Sequence, residues 1–153
     1  MKGTTHLASG LAIAGLIQPL TQTPVAFIGI VIGSILPDID SHTSTLGQHI
    51  PIIPRILKHR GITHSLIFLA LCYILTPYLA IGVGIHLTLD FLNPKGIPLF
   101  WPVSKSIRIP FISKLFPSGG VADKLMGACL WMLTIFLYFL LFGSFQLSVG
   151  HDQ

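Results

Sequence analysis

Residues 59–92 read HRGITHSLIFLALCYILTPYLAIGVGIHLTLDFL. Two apolar segments, Ile62 to Thr76 and Tyr78 to Leu92, are joined by Thr76-Pro77, and imidazoles mark the outer end of each. His59 and His64 bracket the start of the first segment, and His86 and Asp90 close the second. The runs predict a helical hairpin that Thr76-Pro77 breaks, because proline cannot continue a helix. Its polar groups then return to one side. Neither arm reaches the ~20 apolar residues that comfortably cross a ~30 Å hydrocarbon layer. Arms this short suit a locally thinned bilayer or a hairpin sunk partway into it.

Working outward, three more apolar segments appear: Leu7 to Leu20, Val25 to Leu36 and Gly127 to Val149, of which only the last has full spanning length. The composition agrees. Of 153 residues 52% are hydrophobic and 9% charged, with no glutamate, and the mean hydropathy is +0.79. A soluble chain carries about 25% charged residues because its surface must face water; here the solvent is lipid. The expectation is an all-α fold, a polytopic membrane bundle of about five short transmembrane helices in a single domain over residues 1–153. A Pro/aromatic-rich interfacial loop spans 93–126 and the last transmembrane helix spans 127–149. The loop carries Pro94, Pro98, Pro102, Pro110 and Pro117 among Phe100, Trp101, Phe111 and Phe116, a mixture that suits the headgroup region as a lid or as an anchor. Gly10, Gly15, Gly29, Gly33, Gly82 and Gly84 fall inside the spans, where small residues let helices approach closely. Cys72 and Cys129 lie in apolar runs and read as small core residues.

Five crossings place the N-terminus, the 37–61 loop and the 93–126 loop on one side. All nine basic residues lie there, from Lys2 to Lys124. Positive-inside orientation therefore predicts a cytoplasmic N-terminus, an external C-terminus and residence in the bacterial inner membrane. The basic residues draw anionic lipid headgroups. No basic stripe with interleaved aromatics exists to bind nucleic acid. A cleaved signal peptide is the rival reading of the first segment, but the region before it is weakly basic and cleavage would discard His6.

Ionisable groups in so apolar a chain are functional candidates by default. His6, Asp38, Asp40, His59, His64, His86 and Asp90 each fall at the cytoplasmic end of a segment. Four imidazoles and three carboxylates gathered there predict a metal site for zinc, manganese or iron. Seven ligands exceed one tetrahedral shell, so two ions are expected, with zinc favoured. His42, His49 and His151 read as solvated. There is no glutamate for a His-Glu-x-x-His protease and no Gly-x-Ser-x-Gly elbow. A metal-activated water attacking a phosphoester is the chemistry this ligand set favours. Asp38 and His59 are its catalytic candidates, with His59 either a ligand or the acid for the leaving group. Arg60 and Lys95 are placed to hold phosphate, and the expected substrate is a lipid or other phosphorylated amphiphile. Rival classes are a divalent metal transporter or sensor, and a metal-binding scaffold without activity.

His6, Pro37-Asp38-Ile39-Asp40, His59-Arg60-Gly61-Ile62-Thr63-His64-Ser65 and Gly84-Ile85-His86-Leu87-Thr88-Leu89-Asp90 occur in that order. The set resembles the YdjM-type family of inner-membrane-associated, metal-dependent hydrolases, with motifs over residues 1–102. Asn93 to Pro102, containing Gly96 and Trp101-Pro102, is similar to the family's segment after its last His/Asp pair. The resemblance implies a hydrolase and names no substrate.

Overall fold

Local chemistry sets the helix boundaries in the computed structural model, which describes residues 1–103 and 105–149, with side chains as far as residue 141. Helix α1 covers Gly3–Thr21 and stops where Gln22 turns left-handed at φ 51°. Thr23 caps α2, Pro24–Ile35, by accepting from the Ala26 amide, and Pro24 occupies the first helical turn, where its missing N–H costs nothing. The chain then tightens into a 3₁₀ turn, Leu36–Asp40. A short helix α3, Ile53–Ile56, lies in the following loop. A second 3₁₀ turn, Ile62–His64, leads through the Ser65 cap into α4, Leu66–Leu75. Thr76 caps α5, Pro77–Phe91, with proline again in the first turn. After α6, Ile112–Leu115, the chain enters α7, Val121–Val149.

The fold is all-helical, and its five longer helices coincide with the five apolar segments. Among the described residues no strand forms; one isolated bridge pairs Ile97 with Ile107. Two boundaries differ from expectation. The third segment becomes helical only at Leu66, because Ser65 takes the cap and leaves Ile62–His64 as a turn. Helix α7 starts at Val121 rather than Gly127, since Asp123 holds the first turn in place. Its carboxylate accepts from Thr5 Oγ1 at 2.8 Å and from the amides of Gly119 and Lys2 at 2.7 and 3.1 Å. That cluster pins the start of α7 to the start of α1. One helix, α7, is long and apolar enough over Val121–Leu141 to cross a membrane by length and composition, and α4 and α5 are shorter apolar helices.

Small residues hold the bundle together. A Cβ on Gly33 would lie 2.2 Å from the Leu79 carbonyl oxygen, and one on Gly82 would lie 2.2 Å from that of Ile30. Helices α2 and α5 are therefore in backbone contact, a packing mode available only to glycine. The interior is lined by Ala8, Ala12, Ala14, Ala26, Ile30 and Val83, all buried. The larger apolar side chains point outward: Leu71, Ile74 and Leu75 on α4, Met132, Phe136 and Phe139 on α7. A surface of that kind is suited to lipid rather than water. Cys72 is buried as expected, but Cys129 is exposed on the outer face of α7 and is no core residue. His42 and His49 are exposed as expected, and His151 lies outside the described residues.

Gly82→Val should separate α2 from α5 and lower stability by about 1–3 kcal/mol or more through overpacking. Gly84→Ala meets only Leu69 Cδ1 at 3.9 Å and should be neutral or mildly stabilising. Thermal unfolding of both variants in detergent checks the pair. Equal losses would mean that the close approach is not what holds the two helices.

Candidate metal centre

Four helix ends converge on one point. His6 sits in the first turns of α1, and Asp38 in the 3₁₀ turn that extends α2. His64 ends the turn before α4, and His86 and Asp90 lie one helical turn apart at the end of α5. All but Asp38 are buried: His6, His64 and His86 are inaccessible, and Asp90 is nearly so. The His6 and His86 rings stack with centroids 3.8 Å apart, and His64 meets His86 edge-on at 5.2 Å. His64 Nε2 lies 3.7 Å from both Asp38 Oδ1 and Asp90 Oδ2. His86 Nε2 is 3.7 Å from Asp38 Oδ1, and His6 Nε2 is 3.3 Å from Asp90 Oδ1.

Several of these atoms have no hydrogen-bond partner. Both ring nitrogens of His6, His64 Nε2 and His86 Nε2 are buried and unpartnered. A buried polar atom left unpaired costs about 1–3 kcal/mol, so concentrating them in one place is strongly unfavourable unless a ligand satisfies them. A divalent cation accepts such lone pairs, and imidazole with carboxylate is a donor set that suits zinc, manganese or iron. Ligand atoms of His6, Asp38 and His86 lie within 4.8 Å of one another, as do those of His64, His86 and Asp90 and those of Asp38, Asp40 and His59. The residues present fit a metal ion.

The surrounding groups aim these nitrogens. His86 Nδ1 donates to the Ser34 carbonyl at 2.8 Å, which leaves Nε2 facing the centre. His64 Nδ1 lies beside Thr63 Oγ1 at 3.1 Å and Asp40 Oδ2 at 3.4 Å, again leaving Nε2 inward. Such outer partners fix the tautomer and orientation of a ligating histidine.

Asp40, expected as a ligand, has a different position. Its Oδ1 accepts from His59 Nδ1 at 2.8 Å, and its Oδ2 from Thr63 Oγ1 at 2.5 Å and the Arg60 amide at 3.0 Å. Burial pushes its pKa up, but the hydrogen bonds of His59, His64 and Thr63 outweigh burial and hold it well below the usual carboxylate range. Asp40 orients two histidines from behind. Burial likewise opposes ionisation of Asp38, and the imidazoles of His64, His86 and His6 prevail, so its pKa is also lowered. His59 differs from the other three imidazoles: its side chain is 47% exposed, and Nδ1 is held by Asp40.

Arg60 is also placed differently from expectation. Its Nη2 pairs with Asp90 Oδ2 at 2.8 Å, its Nη1 donates to the Gly96 carbonyl, and its backbone is left-handed at φ 59°. Two nitrogens of the fork are committed, so Arg60 braces Asp90 against the 93–97 segment instead of clamping phosphate in bidentate fashion. Lys95 is exposed and lines, with Arg60, His59, Asp38 and Asp90, a polar cavity of about 320 Å³ above the centre. Lys2 lines the same cavity. Its signal in the sequence was its spacing, one helical turn before His6. The amino nitrogen of Met1 lies 2.5 Å from Asp90 Oδ1.

The profile of a family described as "YdjM inner membrane protein" matches residues 1–149. The uncharacterized protein YvsG of Bacillus subtilis is 29% identical over 159 aligned residues, spanning 93% of this chain and 97% of its own. The inner membrane protein YdjM of Escherichia coli K12 is 31% identical over 139 residues, covering 73% of this chain and 71% of that protein, and that of Shigella flexneri matches equally. No solved structure matches.

His86→Ala or Asp38→Ala should strip bound metal from the purified protein, whereas Asp40→Asn should weaken metal binding by about 10–100-fold, the usual effect of losing an outer partner. Elemental analysis and a zinc competition titration measure both. Full metal content in His86→Ala would remove the centre described above.

Proposed function

The chain belongs to the YdjM inner membrane protein family, and on that premise we propose that it is a membrane-bound, metal-dependent hydrolase that opens a phosphoester of an amphiphile from the cytoplasmic face. The observation that carries this reading is the set of unpartnered imidazole nitrogens, which converges with Asp38 and Asp90 beneath a cavity open to solvent. A cluster that merely tied helices together would have satisfied its own nitrogens. A transport site would be expected near the bilayer midplane on broken helices; these ligands lie at helix ends, below an opening.

We read His6, His64, His86, Asp38 and Asp90 as holding the inner ion. A second, more exposed ion would be held by Asp38 and His59, with Asp40 orienting His59 through Nδ1. When bound, divalent cations supply Lewis acidity and bring a water's pKa towards neutrality. The protein's own groups do the rest. Asp38 faces both donor sets and fixes their spacing. Arg60 and the Ser34 carbonyl lock Asp90 and His86 in place. His59, held through Nδ1 by Asp40, presents Nε2 to the cavity. As water oxygen bonds to phosphorus its proton passes to solvent in the cavity, and the alkoxide released when the P–O bond to the alcohol breaks takes a proton from that nitrogen.

In the membrane we place α1, α2, α4, α5 and α7 as five crossings. The site lies where α2 and α5 end and where α1, α4 and α7 begin, which is one side of the bundle. The basic residues Lys2, Arg60 and Lys95 share that side, so positive-inside bias makes it cytoplasmic. Exposed Phe100, Trp101, Val103, Phe111 and Leu115 in the 92–120 loop suit the headgroup layer beside it.

His59→Gln should reduce kcat for phosphoester hydrolysis by about 10²–10⁴-fold, the range general acids contribute. Its metal content assigns the role: two ions retained make His59 the acid, and one makes it a ligand. Lys95→Ala should raise KM several-fold with little change in kcat, the mark of lost uniform binding. A metal-loaded protein that cleaves no phosphoester, yet moves metal into liposomes dependent on His86, would overturn the hydrolase reading. Topology is checked separately by cysteine labelling in a background without Cys72 and Cys129. Thr23→Cys should react from outside and Lys105→Cys only from the cytoplasm; labelling of both from one side would break the five-crossing arrangement.

A further inference from the structure

The rim of the cavity above the centre has a definite chemistry. Lys2 and Lys95 enter from different elements, one before α1 and one after α5. Ser41 and Thr43, whose hydroxyls lie 3.3 Å apart, and Ser118 complete the wall. Ser44 also lines it, but its hydroxyl is taken by the Asp38 carbonyl and the Gly47 amide. Among the described residues no Phe, Tyr or Trp side chain lines the cavity, so none of them holds a quaternary ammonium there by cation–π contact. At its floor the Asp90 carboxylate is engaged by the Met1 amino group and Arg60, and Asp38 faces the imidazoles of His64 and His86. With about 320 Å³, the space is at the small end of ligand pockets. It corresponds to roughly ten water-sized volumes of ~30 Å³ each.

We infer that this cavity selects a phosphate esterified to a small, uncharged, hydroxylated alcohol, of the glycerol phosphate type, and rejects choline-type headgroups. Lys2 and Lys95 supply charge-assisted hydrogen bonds to the phosphate oxygens. The Ser41, Thr43 and Ser118 hydroxyls, able both to donate and to accept, match the hydroxyls of the alcohol. Arg60 contributes charge beside the cavity, with two of its guanidinium N–H groups committed to Asp90 and Gly96. The inference deepens the hydrolase reading by naming its headgroup, and it rests on that reading for the position of the broken bond alone.

The test measures binding, not turnover, on the full chain in detergent. Calorimetric titration compares glycerol phosphate with phosphocholine. Native mass spectrometry compares retention of phosphatidylglycerol and phosphatidylcholine from an equal mixture. We expect at least about tenfold preference for glycerol phosphate, the scale of one or two neutral hydrogen bonds to the alcohol, and selective retention of phosphatidylglycerol. Lys2→Ala combined with Lys95→Ala should weaken binding of both phosphate ligands, whereas Ser41→Ala combined with Thr43→Ala should abolish both preferences at unchanged metal content. Lys105→Ala with Lys114→Ala, which removes exposed charge away from the cavity, should leave them intact. Lys95→Gln alone, at an exposed position, should weaken glycerol phosphate several-fold and serves if the double variant does not fold. Preference in the lipid arm identifies a headgroup as the source, and preference confined to the soluble arm identifies a free phosphoester. Equal or tighter binding of phosphocholine overturns the inference, as does a preference that survives loss of the Ser41 and Thr43 hydroxyls. A protein that discriminates the headgroups but cleaves nothing overturns the hydrolase reading and leaves this one standing. One that cleaves phosphoesters without discrimination does the reverse.

Discussion

Polar atoms sealed from water must find partners, and the inner nitrogens of His6, His64 and His86 face only one another and the carboxylates of Asp38 and Asp90. The surrounding structure is arranged about that confinement. The Ser34 carbonyl can hold His86 because α2 and α5 touch backbone to backbone at Gly33 and Gly82. Asp40 can hold both His59 and His64 because the 3₁₀ turn after α2 and the one before α4 meet at its side chain. With ordinary side chains at the two glycines, the helices would part by more than a hydrogen bond can tolerate.

The same economy of small residues explains the outer surface. A bundle whose interior is alanine, glycine and serine has little apolar bulk to bury, and its leucines, isoleucines and aromatics face outward. In water such a chain would gain little by folding this way round. In lipid no hydrophobic drive acts between helices, and close packing with buried hydrogen bonds holds them instead. The polar centre thus serves cohesion, because it ties α1, α2 and α5 at the ends where glycine packing alone would leave them free to splay.

Much of this was legible in the residues themselves. Uninterrupted apolar runs marked the five longer helices, and the cost of ionisable groups in such a chain singled out the seven His and Asp candidates. All seven meet at one end. What the residues could not reveal was which atom of each faces inward. Asp40 looks like a ligand when counted, but its oxygens are already engaged by His59, Thr63 and the Arg60 amide. Arg60 looks like a phosphate clamp but braces Asp90, because its left-handed backbone directs the fork towards Gly96. The early start of α7 was hidden for a similar reason: the three donors that satisfy Asp123 lie near it in space, and two of them are remote in the chain. Periodicity reports which face of a helix is apolar, and tertiary hydrogen bonds fall outside its reach.

The pin at Asp123 has a mechanical side. It joins the foot of α7, the longest helix, to Lys2 and to Thr5, the residue immediately before His6. A long apolar helix answers a thinner or thicker bilayer by changing its tilt. Through this joint, a change in the tilt of α7 is a pull on the wall of the cavity and on the first imidazole of the cluster. A single carboxylate thus links the longest helix to the wall of the cavity and to the turn that carries His6.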